Sequence, residues 1–403
     1  MNERGHDELM SDVDIAVVGS GIAGLFLANR CAEEGLNVAL VTKKSISTSN
    51  TNWAQGGIAG VLDPNDKVAI EAHVQDTLVS GAGLCEEKVV RSVVIEAADR
   101  ISDLENRGVR FDKKLDGEYH RVREGGHSNR RILHSKDATG AEIERALSKI
   151  SSMEINDNLK IYENWMAVDL IQKKYGEPGE GIVGLWCLSP SGTVHTLPAK
   201  AIVLATGGVG HLHSSTTNPS IATGDGVAMA FRAGAEIKDI EFIQFHPTAL
   251  ASNNSKPFLI TEALRGKGAT LMMETDYVKW KKSSEKSPEE FSFMWKYCGN
   301  GSLGTRDVVA RAIDSELKKS GDKNALLVTE HLDRKELVEE FPNIEKKLST
   351  FGINLGIDPI PVIPAAHYMV GGIDVDHSGR VRLGNSVIRG LYAIGEVART
   401  GLH

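Results

Sequence analysis

Glycines 19, 21 and 24 fall at GxGxxG spacing in Gly19-Ser20-Gly21-Ile22-Ala23-Gly24, the spacing of a turn that binds a pyrophosphate. The first glycine permits a tight turn, the second lets phosphate oxygens approach the main chain, and the third lets a helix pack closely on a strand. The helix that opens there adds unpaired N–H donors and the positive end of its dipole. A dinucleotide is the ligand such a turn holds. The acidic residue that ordinarily follows the second strand and holds a ribose is missing, because Val41 is followed by Thr42, Lys43 and Lys44. Lys43 therefore has two readings, a nucleotide contact or a solvated lysine at a strand end. Metal chemistry has little support: His211 and His213 stand alone and read as loop residues, and Cys31, Cys85, Cys187 and Cys298 lie far apart without ligand spacing.

The elements that must position this turn are legible on either side of it. Residues 14–18 form a β-branched apolar run, 25–32 read as a helix stopped by Gly35, and 37–41 read as the next strand, which together make a βαβ unit. Two further apolar runs, 201–205 and 391–394, end in Thr206-Gly207-Gly208 and Gly395-Glu396, as strands do at the ligand-binding edge of an open parallel sheet. The fold class expected is α/β, a Rossmann-like nucleotide-binding domain with an inserted α+β capping domain. The first would be discontinuous, residues 1–239 and 368–403, and the second would span 240–367. Residues 270–304, rich in Lys, Glu and Ser, read as a solvated insertion. With 403 residues two domains are the natural expectation, and a net charge of -8 gives no general attraction to nucleic acid. No apolar run reaches the length of a membrane span and the first twelve residues are polar and acidic, so neither a membrane partner nor a targeting peptide is expected.

From Asn50-Thr51-Asn52-Trp53-Ala54-Gln55-Gly56-Gly57 onward the chain resembles the fumarate reductase, succinate dehydrogenase and L-aspartate oxidase group of flavoproteins. Further blocks agree in the group's order: Arg123-Glu124-Gly125-Gly126-His127-Ser128, Ala222-Thr223-Gly224-Asp225-Gly226, Gln244-Phe245-His246-Pro247-Thr248, residues 305–311, Pro364-Ala365-Ala366-His367-Tyr368 and residues 393–397. Within the group the likeness is greatest to the L-aspartate oxidases. The resemblance implies FAD as cofactor, held non-covalently, because Asn50 stands where succinate dehydrogenase-like chains carry the flavin-linked histidine. It implies cofactor contacts from Gly19, Ser20, Gly21, Ile22, Ala23, Gly24, Lys43, the eight residues 50–57 (Asn50, Thr51, Asn52, Trp53, Ala54, Gln55, Gly56 and Gly57), Asp225 and Glu396. Trp53 is open to two readings, packing on the flavin or an ordinary aromatic core contact.

The same resemblance implies L-aspartate as substrate, oxidised to iminoaspartate as the first step of de novo NAD biosynthesis, with O2 or fumarate as electron acceptor and a link to quinolinate synthase. His246 and His367 are then expected on the substrate carboxylates, with hydrogen bonds from Gln244 and Thr261. Glu124 would meet the substrate ammonium, its alternative being a salt bridge to Arg121 or Arg123. Arg306 would face the reacting carbon as carboxylate clamp or as proton carrier. The clamp is favoured, since a guanidinium gives up its proton reluctantly. Arg311 reads as an ion-pairing helix residue. Family members continue past residue 403 with a GANR-x-ASNSL block and a helical domain, so a fragment with weakened cofactor retention and little turnover is the expectation. Competing readings are a fumarate reductase or succinate oxidase, and a non-catalytic flavin-binding protein. The expected compartment is the cytoplasm, with the plastid as alternative.

Overall fold

The computed structural model describes residues 8–152, 157–251, 258–283 and 286–403. Its first layer grows from the βαβ unit: β1 (Val13–Val18) and β2 (Val38–Thr42) are parallel neighbours, with Ile15 opposite Val38 and Val18 opposite Val41, joined by α1 (Ile22–Glu33). Both faces of such strands are covered, so all five residues of β2 are buried and its sequence shows no polar alternation. After α2 (Asn50–Trp53) and α3 (Thr139–Ser151), β3 (Leu159–Glu163) joins β2 in parallel and β4 (Val194–Leu204) joins β1. α4 (Asp225–Arg232) follows.

The chain then leaves the sheet to build a second one from β5 (Ile243–Leu250), β6 (Thr270–Met272), β7 (Ala325–Val328) and β8 (Ile360–Met369), in the antiparallel order β5-β8-β7-β6. α5 (Arg306–Ser320) adds its apolar face, including Val309 and Ile313, to the core beside this sheet, which has its own cluster around Ile260, Leu271, Phe293, Leu327 and Ile360. Residues 270–304 are thus not the solvated insertion their composition suggests. β6 is wholly buried, Phe293 and Met294 close the core, and the exposed charge is carried mainly by the helix Glu274–Lys282 between them.

β9 (Arg380–Leu383) and β10 (Ser386–Ala393) return the chain to the first sheet, whose order is β9-β10-β4-β1-β2-β3. β1, β4 and β10 run side by side in parallel, and beyond their carboxyl ends stand Gly19, Gly207 and Gly395, with φ of +109°, +71° and +70°. Only glycine takes these conformations without strain. The three turns open one edge of the sheet beside the start of α1. Among the described residues no helix is long and apolar enough to cross a membrane.

Candidate active site

The nucleotide end is a cradle with no room for extra atoms. A Cβ on Gly24 would sit 1.9 Å from the carbonyl oxygen of Gly19, and one on Gly19 2.2 Å from that of Ala205. Gly21 opens α1 without a side-chain cap; of the first N–H groups, that of Ile22 donates to Thr51 Oγ1 at 2.9 Å. Ser20 Oγ and Thr42 Oγ1 bond each other at 3.0 Å, so a hydroxyl pair occupies the end of β2 in place of the missing acid. Lys43 is not a solvated strand end: its ammonium ion-pairs with Asp225 and donates to Thr223 Oγ1 at 2.6 Å. Lys43, Asp225, Gly19, Thr42, Trp165 and Thr206 line a small cavity of about 60 Å³ there.

A larger cavity of about 450 Å³ runs from Gly21 and Ile22 past residues 49–51 and 53–57 to Arg306 and His367. One wall is α2, whose cap Ser49 accepts from the N–H of Asn52 at 3.0 Å and donates to Glu144 Oε2 at 2.9 Å. Burial pushes the Glu144 carboxyl up to about 7, while Ser49 and Ser148 act against that shift. α3 lies so close behind that a Cβ on Gly140 would fall 1.8 Å from the carbonyl oxygen of Thr51. Asn50 Nδ2 donates to Glu396 Oε2 at 3.4 Å, and Glu396 Oε1 accepts from the N–H of Met369 at 3.0 Å; burial raises the Glu396 carboxyl. Among the described residues, Asn50 Oδ1, Gln55 Oε1 and Thr206 Oγ1 are buried without a partner. Polar atoms left so are costly unless a ligand or water meets them, and with the glycine cradle they fit a dinucleotide laid along this wall. Trp53 is 45% exposed on the cavity rim, which removes the core-contact reading. Asn52 turns its amide to the carbonyl of Ser47 at 3.0 Å and does not line the cavity.

At the far end Arg306, the first residue of α5, is gripped from three sides: Nε donates to Glu262 Oε2 at 2.6 Å, one Nη donates to Gln244 Oε1 at 3.1 Å, and the other lies 3.9 Å from Glu124 Oε2. Burial opposes its charge, yet Glu262 and Glu124 hold its pKa above the ordinary value. Glu262 also accepts from the N–H of Gly125 at 3.0 Å and pairs with Arg265 at 3.0 Å, and Arg265 donates to the carbonyl of Ser302 at 2.7 Å. Burial works to raise Glu262, but the guanidinium groups of Arg306 and Arg265 keep it ionised. Glu124 is pushed up to about 7, first by burial and then by the charge of Glu262. The alternative partners proposed for Glu124 are not used; Arg121 lies instead 4.0 Å from Glu118.

His246, on β5, is 1% exposed. Its Nδ1 accepts from the N–H of Thr248 at 3.3 Å, so the ring proton sits on Nε2, a buried donor without a partner among the described residues. His367, on β8, meets Thr217 Oγ1 through Nδ1 at 2.7 Å, and Asn218 Nδ2 holds its carbonyl at 2.8 Å. The two rings lie 5.2 Å apart. Burial, then the nearby Arg306, depresses both imidazoles, His246 well below its usual value and His367 to about 3, so both are neutral near pH 7. Thr261, 2% exposed, and Glu124 complete the wall. Arg311 pairs with Asp307 at 2.6 Å, as an ion-pairing helix residue.

The structure thus gathers Arg306, His246, His367, Glu124 and Thr261 into one end of a cleft whose other end is the glycine cradle, while Gln244 does not line that cleft and acts on Arg306. Sequence reasoning missed Glu262 and Arg265, which fix Arg306, and Thr217 and Asn218, which fix His367. The FAD binding domain family matches residues 14–403. L-Aspartate oxidase of Yersinia pestis is 43% identical over 97% of this chain and 70% of its own length.

The chain belongs to the L-aspartate oxidase family.

The chloroplastic family member of Oryza sativa subsp. japonica is likewise 43% identical over 98% of this chain, and the chain spans about three fifths of that protein, 59%. Among solved structures, an E. coli quinol fumarate reductase variant superimposes with a TM-score of 0.84 at 30% identity, over 98% of this chain and 66% of that one. Family membership makes FAD the cofactor of the cleft.

Proposed function

We propose that the cleft holds FAD non-covalently and oxidises L-aspartate to iminoaspartate, with O2 or fumarate taking the electrons onward. The observation that carries this reading is His246 Nε2–H, a buried donor with nothing to bond, beside a permanently charged Arg306 and an acidic Glu124. Donors at both ends and one acceptor between them match two carboxylates and an ammonium. Gln55, Asn50 and Thr206 would meet the flavin end of the cofactor and the uncapped start of α1 its pyrophosphate. FAD, when bound, supplies the two-electron acceptor for the α-hydrogen.

The chain's own groups do the rest. Neutral His246 and His367 donate to carboxylate oxygens without adding charge that Arg306 would oppose. The guanidinium clamps a carboxylate through its fork of donors and keeps its proton, because Glu262 and Glu124 stabilise the charged form. Glu124, with a pKa of about 7, takes the proton whose loss turns the substrate ammonium into the free amine, and departure of the α-hydrogen as hydride then leaves a protonated imine. The product imine would pass to quinolinate synthase in de novo NAD synthesis, in the cytoplasm. A second reading, succinate oxidation or fumarate reduction, draws on the likeness to fumarate reductase and on the same carboxylate donors. It gives Glu124 no substrate cation to meet, only its 3.9 Å contact with Arg306. Anaerobic reduction of bound FAD by L-aspartate and by succinate separates the two: faster bleaching with aspartate supports the oxidase, and faster bleaching with succinate overturns it.

A further inference from the structure

A second cavity, also about 450 Å³, adjoins the Arg306 cleft on the side away from α1. The two share a wall made by Gln55, Gly56, Gly57, Glu124 and Thr261. Its lining carries charges of both signs, but the three acids are engaged, Glu124 by Arg306 at 3.9 Å. Asp137 accepts three hydrogen bonds at the start of the helix Pro342–Ser349, two from the main-chain N–H groups of Asn343 and Ile344 at 2.9 Å and one from the side chain of Asn343 at 2.8 Å. Glu340 is paired with Lys267 at 2.6 Å. Arg123, Arg130 and Lys136 also line it. They are exposed, and among the described residues their side chains have no hydrogen-bond or ion-pair partner. A concave surface whose unspent charge is all positive concentrates anions, and at physiological salt charges act over about 8 Å, a reach comparable with such a cavity. This protein has an overall charge of -8, so an anionic substrate gains from a locally positive approach.

We propose that this second cavity is an antechamber that captures small dicarboxylate anions and passes them across the Glu124 and Thr261 wall to the Arg306 cleft. The proposal rests on the dicarboxylate reading of that cleft. Its three cations work by steering, so they set the rate of association and leave the saturated reaction unchanged.

The test uses the FAD-loaded full chain, with fumarate as the probe and its association followed in stopped flow by the perturbation of flavin absorbance. The association rate constant of the parent protein is expected to fall as KCl rises. In Arg123→Gln/Arg130→Gln/Lys136→Gln it is expected to be about tenfold lower at low salt and nearly independent of KCl. The double variant Arg130→Gln/Lys136→Gln spares the residue next to Glu124 and should lose part of the effect, with the rate of flavin reduction at saturating L-aspartate unaltered. Association that keeps the parent's rate and salt slope in both variants would overturn the antechamber. Failure of the oxidase reading registers separately, as fumarate binding with normal steering but no reduction by aspartate.

Discussion

Arg306 has carboxylates on two sides and the Gln244 amide on a third, so the group proposed to clamp a substrate is itself held in place. A lysine there offers a point charge and no planar fork. Arg306→Lys should retain FAD yet lower the rate of flavin reduction by L-aspartate by about a hundredfold or more, the usual loss when a preorganised donor is removed; stopped-flow absorbance would show both. Glu124 has a folded pKa of about 7, so below that pH it is neutral and has no charge for an ammonium, and above it the carboxylate is present. The kcat/KM for L-aspartate should therefore rise through about pH 7. Glu124→Gln should flatten that limb and narrow the preference over succinate, whereas an unchanged pH profile would remove Glu124 from substrate recognition. Five of the six expected substrate residues were legible because they sit in order within recognisable blocks; Thr261 lies outside those blocks and came from the resemblance alone. Glu262 and Arg265 were not, since an acid and a base three apart on a helix look the same in sequence whether they lie in water or, as here, are 3% and 1% exposed under an active-site arginine.

At the scale of the element, glycine closeness and one buried cap hold the parts in register. Gly24→Ala places a methyl 1.9 Å from a carbonyl oxygen that cannot move without shifting the turn. Overpacking of this kind costs about 1–3 kcal/mol, and a urea titration together with flavin retained after gel filtration should both register the loss. Asp137 ties the loop before α3 to the start of the helix Pro342–Ser349, more than two hundred residues on, through three hydrogen bonds. Asp137→Ala should lower stability by about 1–2 kcal/mol, as loss of a helix cap does; a urea midpoint equal to that of the parent would show that the tie is dispensable. The strands that end in glycine could be read from sequence because an apolar β-branched run meeting a glycine has one common use in a parallel sheet. β6 could not: a threonine, a leucine and a methionine are too few to set a period, and their pairing with β7 is what makes them a strand.

Over the whole molecule, buried titratable groups pull against each other. His73 and His367 are neutral in the fold, depressed by burial to about 4 and about 3, so the unfolded chain takes up protons first below pH 6.5 and their contribution is lost as pH falls. Glu124 and Glu144, raised by burial to about 7, act with the opposite sign and favour the fold as pH falls from about 7 to 4.5. The two sets act in opposite directions over the same pH range, as do His246, depressed by burial, and Glu396, raised by it. Urea midpoints should change little between pH 7 and 5 and drop steeply below about 4, where the carboxylate gains have ended and Glu316, held down to about 2 by Tyr297, Lys319 and Lys296 despite its burial, begins to lose its partners. A steep loss already at pH 6 would mean that the histidines dominate.

On the proposed reading, both sheets serve to bring a cofactor's redox end and a dicarboxylic amino acid together at Arg306. Anaerobic mixing of the FAD-loaded chain with L-aspartate carrying deuterium at the α-carbon tests that directly. Bleaching of the flavin, slowed several-fold relative to unlabelled substrate, is the expected result. A flavin that stays oxidised in saturating L-aspartate, or one reduced at the same rate with either isotope, would contradict an α-hydrogen transfer in this cleft.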